Sequence, residues 1–208
     1  MSEPVAVPGA RDVRGVLDAP ASERGSDSRH AADACVVACP PHPRHGGTRS
    51  DRRLTAVSAA LREREVACLR FDYGEWDEGN GEQTDAERAL AWARERFDRV
   101  GLFGYSFGTT VGLRAAAAVD ARPDAVSLLA PDAAALDGEG VDGVTCPIQA
   151  VYGERDDTVD WHPVVEWARE RGHATEGLAA DHHFVGRADA VAATVAPFLA
   201  AELSASDG

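Results

Sequence analysis

The feature that most constrains this chain is a series of short, nearly unbroken apolar runs set between longer segments of helical period. Ala34-Cys35-Val36-Val37-Ala38-Cys39 is one such run. Val66 to Phe71, Val100 to Phe103, Ala125 to Leu129 and Ile148 to Tyr152 are the others. Apolarity that is continuous rather than alternating marks strands buried on both faces, as in a parallel sheet. Helical patterns lie between them. In the segment 51–64, Leu54, Val57, Ser58 and Leu61 recur at i, i+3, i+4 and i+7. Thr84 with Glu87 reads as a capping box ahead of a helix over Ala86 to Phe97. Further helices are expected over Ser106 to Val119, His162 to Arg171 and Ala188 to Leu203, with a short one inside the loop from Pro131 to Thr145. The runs around Val5 to Val7 and Val13 to Leu17 read as a hairpin at one sheet edge. Strands alternating with helices of about 10–15 residues make right-handed βαβ units. The expected architecture is α/β: a three-layer α/β/α sandwich with a mostly parallel central sheet. One domain over 1–208 is expected, with a surface loop at 19–33 and a disordered tail at 204–208.

In such a sheet, ligands bind at the carboxyl ends of the strands. The run ending at Phe103 leads into Gly104-Tyr105-Ser106-Phe107-Gly108. This is G-x-S-x-G between an expected strand and an expected helix, the context that the motif requires. A nucleophile on so tight a turn needs strained backbone angles and small residues on either side, so both flanking positions are Gly. The N–H of Phe107, at the helix start, is placed to stabilise an oxyanion. A serine hydroxyl needs a base, and the base needs an orienting carboxylate. After the run Ile148 to Tyr152 comes Gly153-Glu154-Arg155-Asp156-Asp157-Thr158-Val159-Asp160. Asp156 is the candidate acid, with Asp157, Asp160 and Asp132 as rivals. Asp181-His182-His183-Phe184 precedes the last helix, and one of the two His is the candidate base. The second oxyanion donor belongs in the loop after the first buried strand. Pro41 and Pro43 have no N–H, which leaves His42 and Arg44.

Composition narrows the partners. All 21 basic residues are Arg, against 20 Asp and 15 Glu, for a net charge of −14. A surface of that sign repels nucleic acid and anionic membranes. With 44% hydrophobic residues in recurring runs, the chain is not a disordered polyanion. Cys35, Cys39 and Cys68 sit inside apolar runs as small hydrophobes, and with Cys146 they form no C-x-x-C pair. No leader of the secretory type is read at the N-terminus, and the expected compartment is the cytosol. No cofactor or metal is expected. The phosphate-binding G-x-G-x-x-G turn of dehydrogenases is absent from the first βα turn.

With these residues in view, the sequence resembles the α/β-hydrolase superfamily. More narrowly it is similar to small lid-less hydrolases near the dienelactone-hydrolase-like group. The carriers are Pro41 to Thr48, Arg70-Phe71-Asp72, Gly104 to Gly108, Gly153-x-x-Asp156-x-x-Val159 and Ala180-Asp181-His182 ahead of Gly186-Arg187. The resemblance implies Ser106, His182 and Asp156 as the triad, with His182 preferred to His183. It also implies the backbone of Phe107 and of His42 as the oxyanion hole. Two departures stand out. Relatives often carry H-P-H-P where this chain has Pro40-Pro41-His42-Pro43. Dienelactone hydrolases proper use Cys where this chain has Ser106. The expected activity is hydrolysis of a small acyl ester through an acyl-enzyme. The same acyl-enzyme passed to another acceptor would give an acyltransferase or perhydrolase, and loss of catalysis a binding protein of the same fold. Only 18 residues, Ala130 to Pro147, separate two successive strands where larger hydrolases insert a cap. An open cleft is therefore expected, with Trp76, Trp161 or Trp167 as its aromatic wall.

The acid-rich, Lys-free composition also resembles cytosolic proteins of organisms that accumulate molar salt. In molar salt the Debye length falls to about 3 Å and self-repulsion is screened. The melting temperature and activity should both rise between dilute buffer and molar potassium chloride. A fully folded, equally active protein in dilute buffer would rule this adaptation out.

Overall fold

The computed structural model describes residues 2–20, 33–137 and 141–204. Most of the expected surface loop at 19–33 and of the expected tail at 204–208 lies outside the described residues, and Ser204 belongs to the last helix. Eight strands form one sheet in the order β1-β2-β4-β3-β5-β6-β7-β8. The strands β1 (Ser2–Val7) and β2 (Val13–Asp18) make the expected antiparallel edge hairpin, with Val7 opposite Val13. β2 runs antiparallel to β4 (Ala67–Asp72). From there on β3 (Ala34–Cys39), β5 (Arg99–Tyr105), β6 (Ala125–Leu129), β7 (Ile148–Gly153) and β8 (Ala174–Leu178) pair in parallel.

The side-chain period of two divides each buried strand between two cores. In β3, Cys35, Val37 and Cys39 face one layer, made by α2 (Asn80–Arg94), α3 (Phe107–Ala118) and α4 (His162–Glu170). Ala34, Val36 and Ala38 face the other, made by α1 (Arg52–Arg62) and α5 (Ala188–Ser204). The four positions of α1 picked out by period, Leu54, Val57, Ser58 and Leu61, are its four buried residues. Gln149 interrupts the apolar run of β7 without cost. It accepts from Ser127 Oγ at 2.9 Å and donates to the Thr194 carbonyl at 3.3 Å.

Three readings need correction. β8 was not expected, because Ala-Thr-Glu-Gly-Leu is a half-exposed edge strand with no apolar run. α2 starts at Asn80, a turn earlier than the Thr84 signal. Thr84 lies inside the helix and its hydroxyl donates to the Asn80 carbonyl. The true start is held by Glu82, whose carboxylate accepts from the N–H groups of Asp77 and Gly79 at 2.9 and 2.8 Å. Between β6 and β7 the expected short helix is two 3-10 turns, Ala133–Asp137 and Val141–Gly143. No helix among the described residues is long and apolar enough to cross a membrane.

Asp18 ties the edge of the sheet to its helical cover. Its buried carboxylate accepts from Arg70 Nε and Ser58 Oγ, each at 2.7 Å, and from Ser2 Oγ. Burial pushes the Asp18 carboxyl up, but Arg70, Ser2 and Ser58 together hold it below its ordinary value. Its contribution to stability is therefore complete above the usual carboxylate range near about 4 and is lost as pH falls through the lower, folded value. Asp18→Ala should destabilise the protein by about 3 kcal/mol at neutral pH, because the mostly buried Arg70 loses its carboxylate partner and Ser58 loses its acceptor. Urea unfolding should show this deficit at pH 7, and it should shrink as pH falls below the usual carboxylate range and the wild type loses the same interaction.

Candidate active site

The turn between β5 and α3 is as tight as its sequence implies. Ser106 has φ 53° and ψ −120°, a conformation that non-glycine residues adopt only when the surroundings impose it. Its N–H donates to the Leu129 carbonyl at 2.8 Å, and its carbonyl accepts from the N–H and hydroxyl of Thr109 at 2.8 and 2.7 Å. A Cβ at Gly104 would sit 2.4 Å from the Gly108 carbonyl oxygen, and one at Gly108 would sit 2.3 Å from that of Cys39. Backbone meets backbone here, so neither position can give way to a side chain.

The structure brings Ser106, His182 and Asp156 together from three separate loops. Ser106 Oγ lies 2.9 Å from His182 Nε2, and His182 Nδ1 lies 2.8 Å from Asp156 Oδ2. The other oxygen of Asp156 accepts the N–H groups of Thr158 and Val159 at 2.9 and 3.3 Å. This is the physical content of G-x-x-D-x-x-V: the turn after β7 aims two backbone donors back at the acid. With one oxygen so held, the other is turned toward the imidazole, and His182 and Asp156 are both buried.

The rivals go elsewhere. Asp157 is exposed, Asp160 is exposed beside His162, and Asp132 caps the following 3-10 turn by accepting from Ala134 N–H. His183 lines the same cleft as His182, but its N–H is bonded to Asp181, and the acid is bonded to His182. No thiol competes with Ser106. Burial pushes Cys39 and Cys68 up to about 12 and Cys146 up to about 11, and it raises Cys35 well above its ordinary value. All four stay protonated.

Two partners of the trio had no signal in the sequence. The buried Tyr105 hydroxyl donates to the His182 backbone carbonyl at 3.1 Å. Trp161 Nε1 donates to the Asp156 carbonyl at 3.3 Å. Both bonds fix the backbone that carries a functional side chain. Arg53, from α1, lies over the Tyr105 ring at 4.7 Å and pairs with Asp51 at 2.5 Å.

Ser106 opens onto a cleft of about 390 Å³, lined by His42, His45, Arg53, Phe107, Val159 and His183 among others. The three expected tryptophans do not line it. Trp76 stacks behind His42, Trp161 packs on Tyr152, and Trp167 is buried in the core with its Nε1 donating to Asp142. The His42 Nδ1 accepts the Arg44 N–H at 3.2 Å. Among the described residues, no group of three or more His, Cys, Asp or Glu is placed to hold a metal ion.

No protein-family model matches the sequence, and no curated protein matches it. Solved structures do match in shape. A lid-less α/β serine hydrolase of Xanthomonas campestris is 25% identical, with a TM-score of 0.78 over 99% of this chain and 97% of that one. Est1E from Butyrivibrio proteoclasticus is 18% identical, with a TM-score of 0.79 over 97% and 99%. A dienelactone hydrolase of Anabaena variabilis is 21% identical, with a TM-score of 0.76 over 98% of each chain. Eight strands in this order, helices on both faces and no inserted cap give the chain the α/β-hydrolase fold in its lid-less form.

Proposed function

We propose that this chain is a serine hydrolase of esters or related acyl compounds, with Ser106 as nucleophile, His182 as base and Asp156 as orienting acid. The observation that carries the reading is the unbroken relay from Ser106 Oγ through both ring nitrogens of His182 to Asp156 Oδ2. The shape it shares with proteins described as serine and dienelactone hydrolases supports the same class.

The steps follow from the geometry. His182 Nε2 takes the hydroxyl proton as Ser106 Oγ attacks the acyl carbon, and the carbonyl π electrons move onto oxygen. Asp156 holds the Nδ1–H and balances the imidazolium that forms. The oxyanion is received by backbone N–H groups. Phe107 supplies one, because the first residue of a helix has no intrahelical acceptor for its N–H. His42 supplies the other. In its loop Pro41 and Pro43 have no N–H, and that of Arg44 is taken by the His42 ring. The tetrahedral intermediate collapses, the C–O bond to the leaving alcohol breaks, and His182 returns the proton to that oxygen. Water then enters with His182 again as base, and the acid is released from Ser106.

Wild-type protein should hydrolyse p-nitrophenyl acetate and be labelled by a fluorophosphonate probe. Ser106→Ala should lose the label and at least about 10³-fold in turnover. Labelling and rates unchanged by that substitution would refute the assignment. Tyr105→Phe tests the tie to the His182 carbonyl. It should lower kcat by about tenfold with KM nearly constant, since it misplaces the base without touching substrate. A purely structural role would instead lower the melting temperature and leave kcat intact.

A further inference from the structure

One wall of the cleft is built of rings. The imidazoles of His42 and His45 stack at 4.4 Å and 20°. Trp76 stacks on His42 at 4.5 Å and 29°. Phe107 leans on His42 at 4.9 Å and on Trp76 at 5.7 Å. The assembly is anchored in the core. Tyr73 meets Phe107 edge-on at 5.8 Å, Phe71 meets Tyr73 edge-on at 5.2 Å, and the Tyr73 hydroxyl is bonded to the Pro40 carbonyl. Phe107 is thereby held from behind, while His45 is the exposed outer ring.

Alkyl surface is scarce by comparison. Among the described residues lining the cleft, Pro41 and Val159 are the purely aliphatic side chains. The His42 ring is uncharged. Burial, then His45 and Arg44, press the His42 pKa down, and its Nδ1 accepts a hydrogen bond, so its one proton is on Nε2. Position then decides which part of a substrate meets the wall. The leaving oxygen must face His182 to take its proton, so the alcohol extends on that side. The oxyanion faces the N–H groups of Phe107 and His42, and the side chains of both residues line the same cleft.

We propose that the ring wall of His42, His45 and Phe107, backed by Trp76, is the acyl subsite, and that it selects a flat conjugated acyl group, aryl or arylalkenyl, over a saturated one of the same bulk. The inference rests on the hydrolase reading for its acyl assignment and on the ring geometry for its selectivity. His42 is covered by His45 on one face and Trp76 on the other, so a flat group gains offset stacking on the outer ring, His45, beyond what burial alone supplies, whereas a puckered ring gains burial only.

Two neutral amides separate these contributions without turnover. Cinnamamide is flat, while 3-cyclohexylpropanamide is bulkier and more apolar, so plain burial favours the second. Calorimetric titration of the wild-type protein should show cinnamamide bound about fivefold more tightly. Parity, a preference for the cyclohexyl compound, or no binding of either overturns the subsite. In His45→Ala, which removes an exposed outer ring and should keep its circular dichroism, the preference should fall below about twofold. A preference unchanged in that variant overturns the wall as its source. Methyl cinnamate should be hydrolysed with a higher kcat/KM than the reversed ester, cinnamyl acetate, and the opposite order overturns the acyl assignment. If p-nitrophenyl acetate is not hydrolysed while the amide preference holds, the hydrolase reading fails and the ring subsite stands.

Discussion

The contact on which the rest of the structure depends is the approach of the first turn of α3 to the ends of β3 and β5. The Cα of Gly108 lies so close to the Cys39 carbonyl that no Cβ fits between them, and Gly104 stands in the same relation to Gly108. This approach sets where α3 begins. It therefore sets where the Phe107 N–H points and how near that N–H lies to the loop after β3, which carries His42. It also forces Ser106 into its positive-φ conformation, held by hydrogen bonds at both its N–H and its carbonyl. A single methyl group at either glycine would move the helix away from β3 and separate the two proposed oxyanion donors. The strain at Ser106 is local, but the packing that imposes it runs through the whole sheet.

The remaining site residues are fastened by backbone bonds to this centre. Asp156 follows β7 and is oriented by the next turn of its own loop. His182 follows β8, which pairs with β7 at the sheet edge, so the base and the acid arrive on neighbouring strands. Tyr105, the residue before the nucleophile, bonds the carbonyl of His182. The proposed nucleophile and base are thus tied at the backbone as well as through their side chains. This double tie is what a lid-less site needs, since no cap closes over it to restrict the loop that carries His182.

What was legible in the sequence follows from how local each signal is. Buried strands such as β3 declare themselves because both faces are apolar, and α1 because one face is. The edge strand β8 does not, because half-exposed strands tolerate Thr, Glu and Gly. The start of α2 was misplaced because its decisive contacts are made by Glu82 from within the helix to the N–H groups of the preceding loop. At the site, Ser106 was legible from its glycines, and Asp156 and His182 were legible in kind. The choice of His182 over His183 came from the family resemblance, and the structure places the His182 ring against the Asp156 carboxylate. Tyr105 was invisible in its role, since its partner is a carbonyl 77 residues away and any backbone can offer one.

The charge of −14 acquires a more definite place in this arrangement. The interior ion pairs use Arg, whose fork reaches carboxylates and carbonyls together. Arg11 holds Asp85, Arg70 holds Asp18, and Arg94 and Arg99 share Asp124. Much of the acid excess, Glu75, Asp157 and Asp160 among it, has no such partner in the interior and is exposed. Within the cleft itself, Arg53 is matched by Asp51 and the His42 ring is neutral. A neutral ester therefore meets a locally balanced site, while the whole molecule repels anions. Under the proposed reaction, hydrolysis would convert the one into the other. A carboxylate released from Ser106 would then be pushed outward by the same surface that left the ester indifferent, so the acidic shell would favour product release. Salt weakens that push as it relieves the shell's self-repulsion, and stability and turnover need not respond to ionic strength in the same proportion.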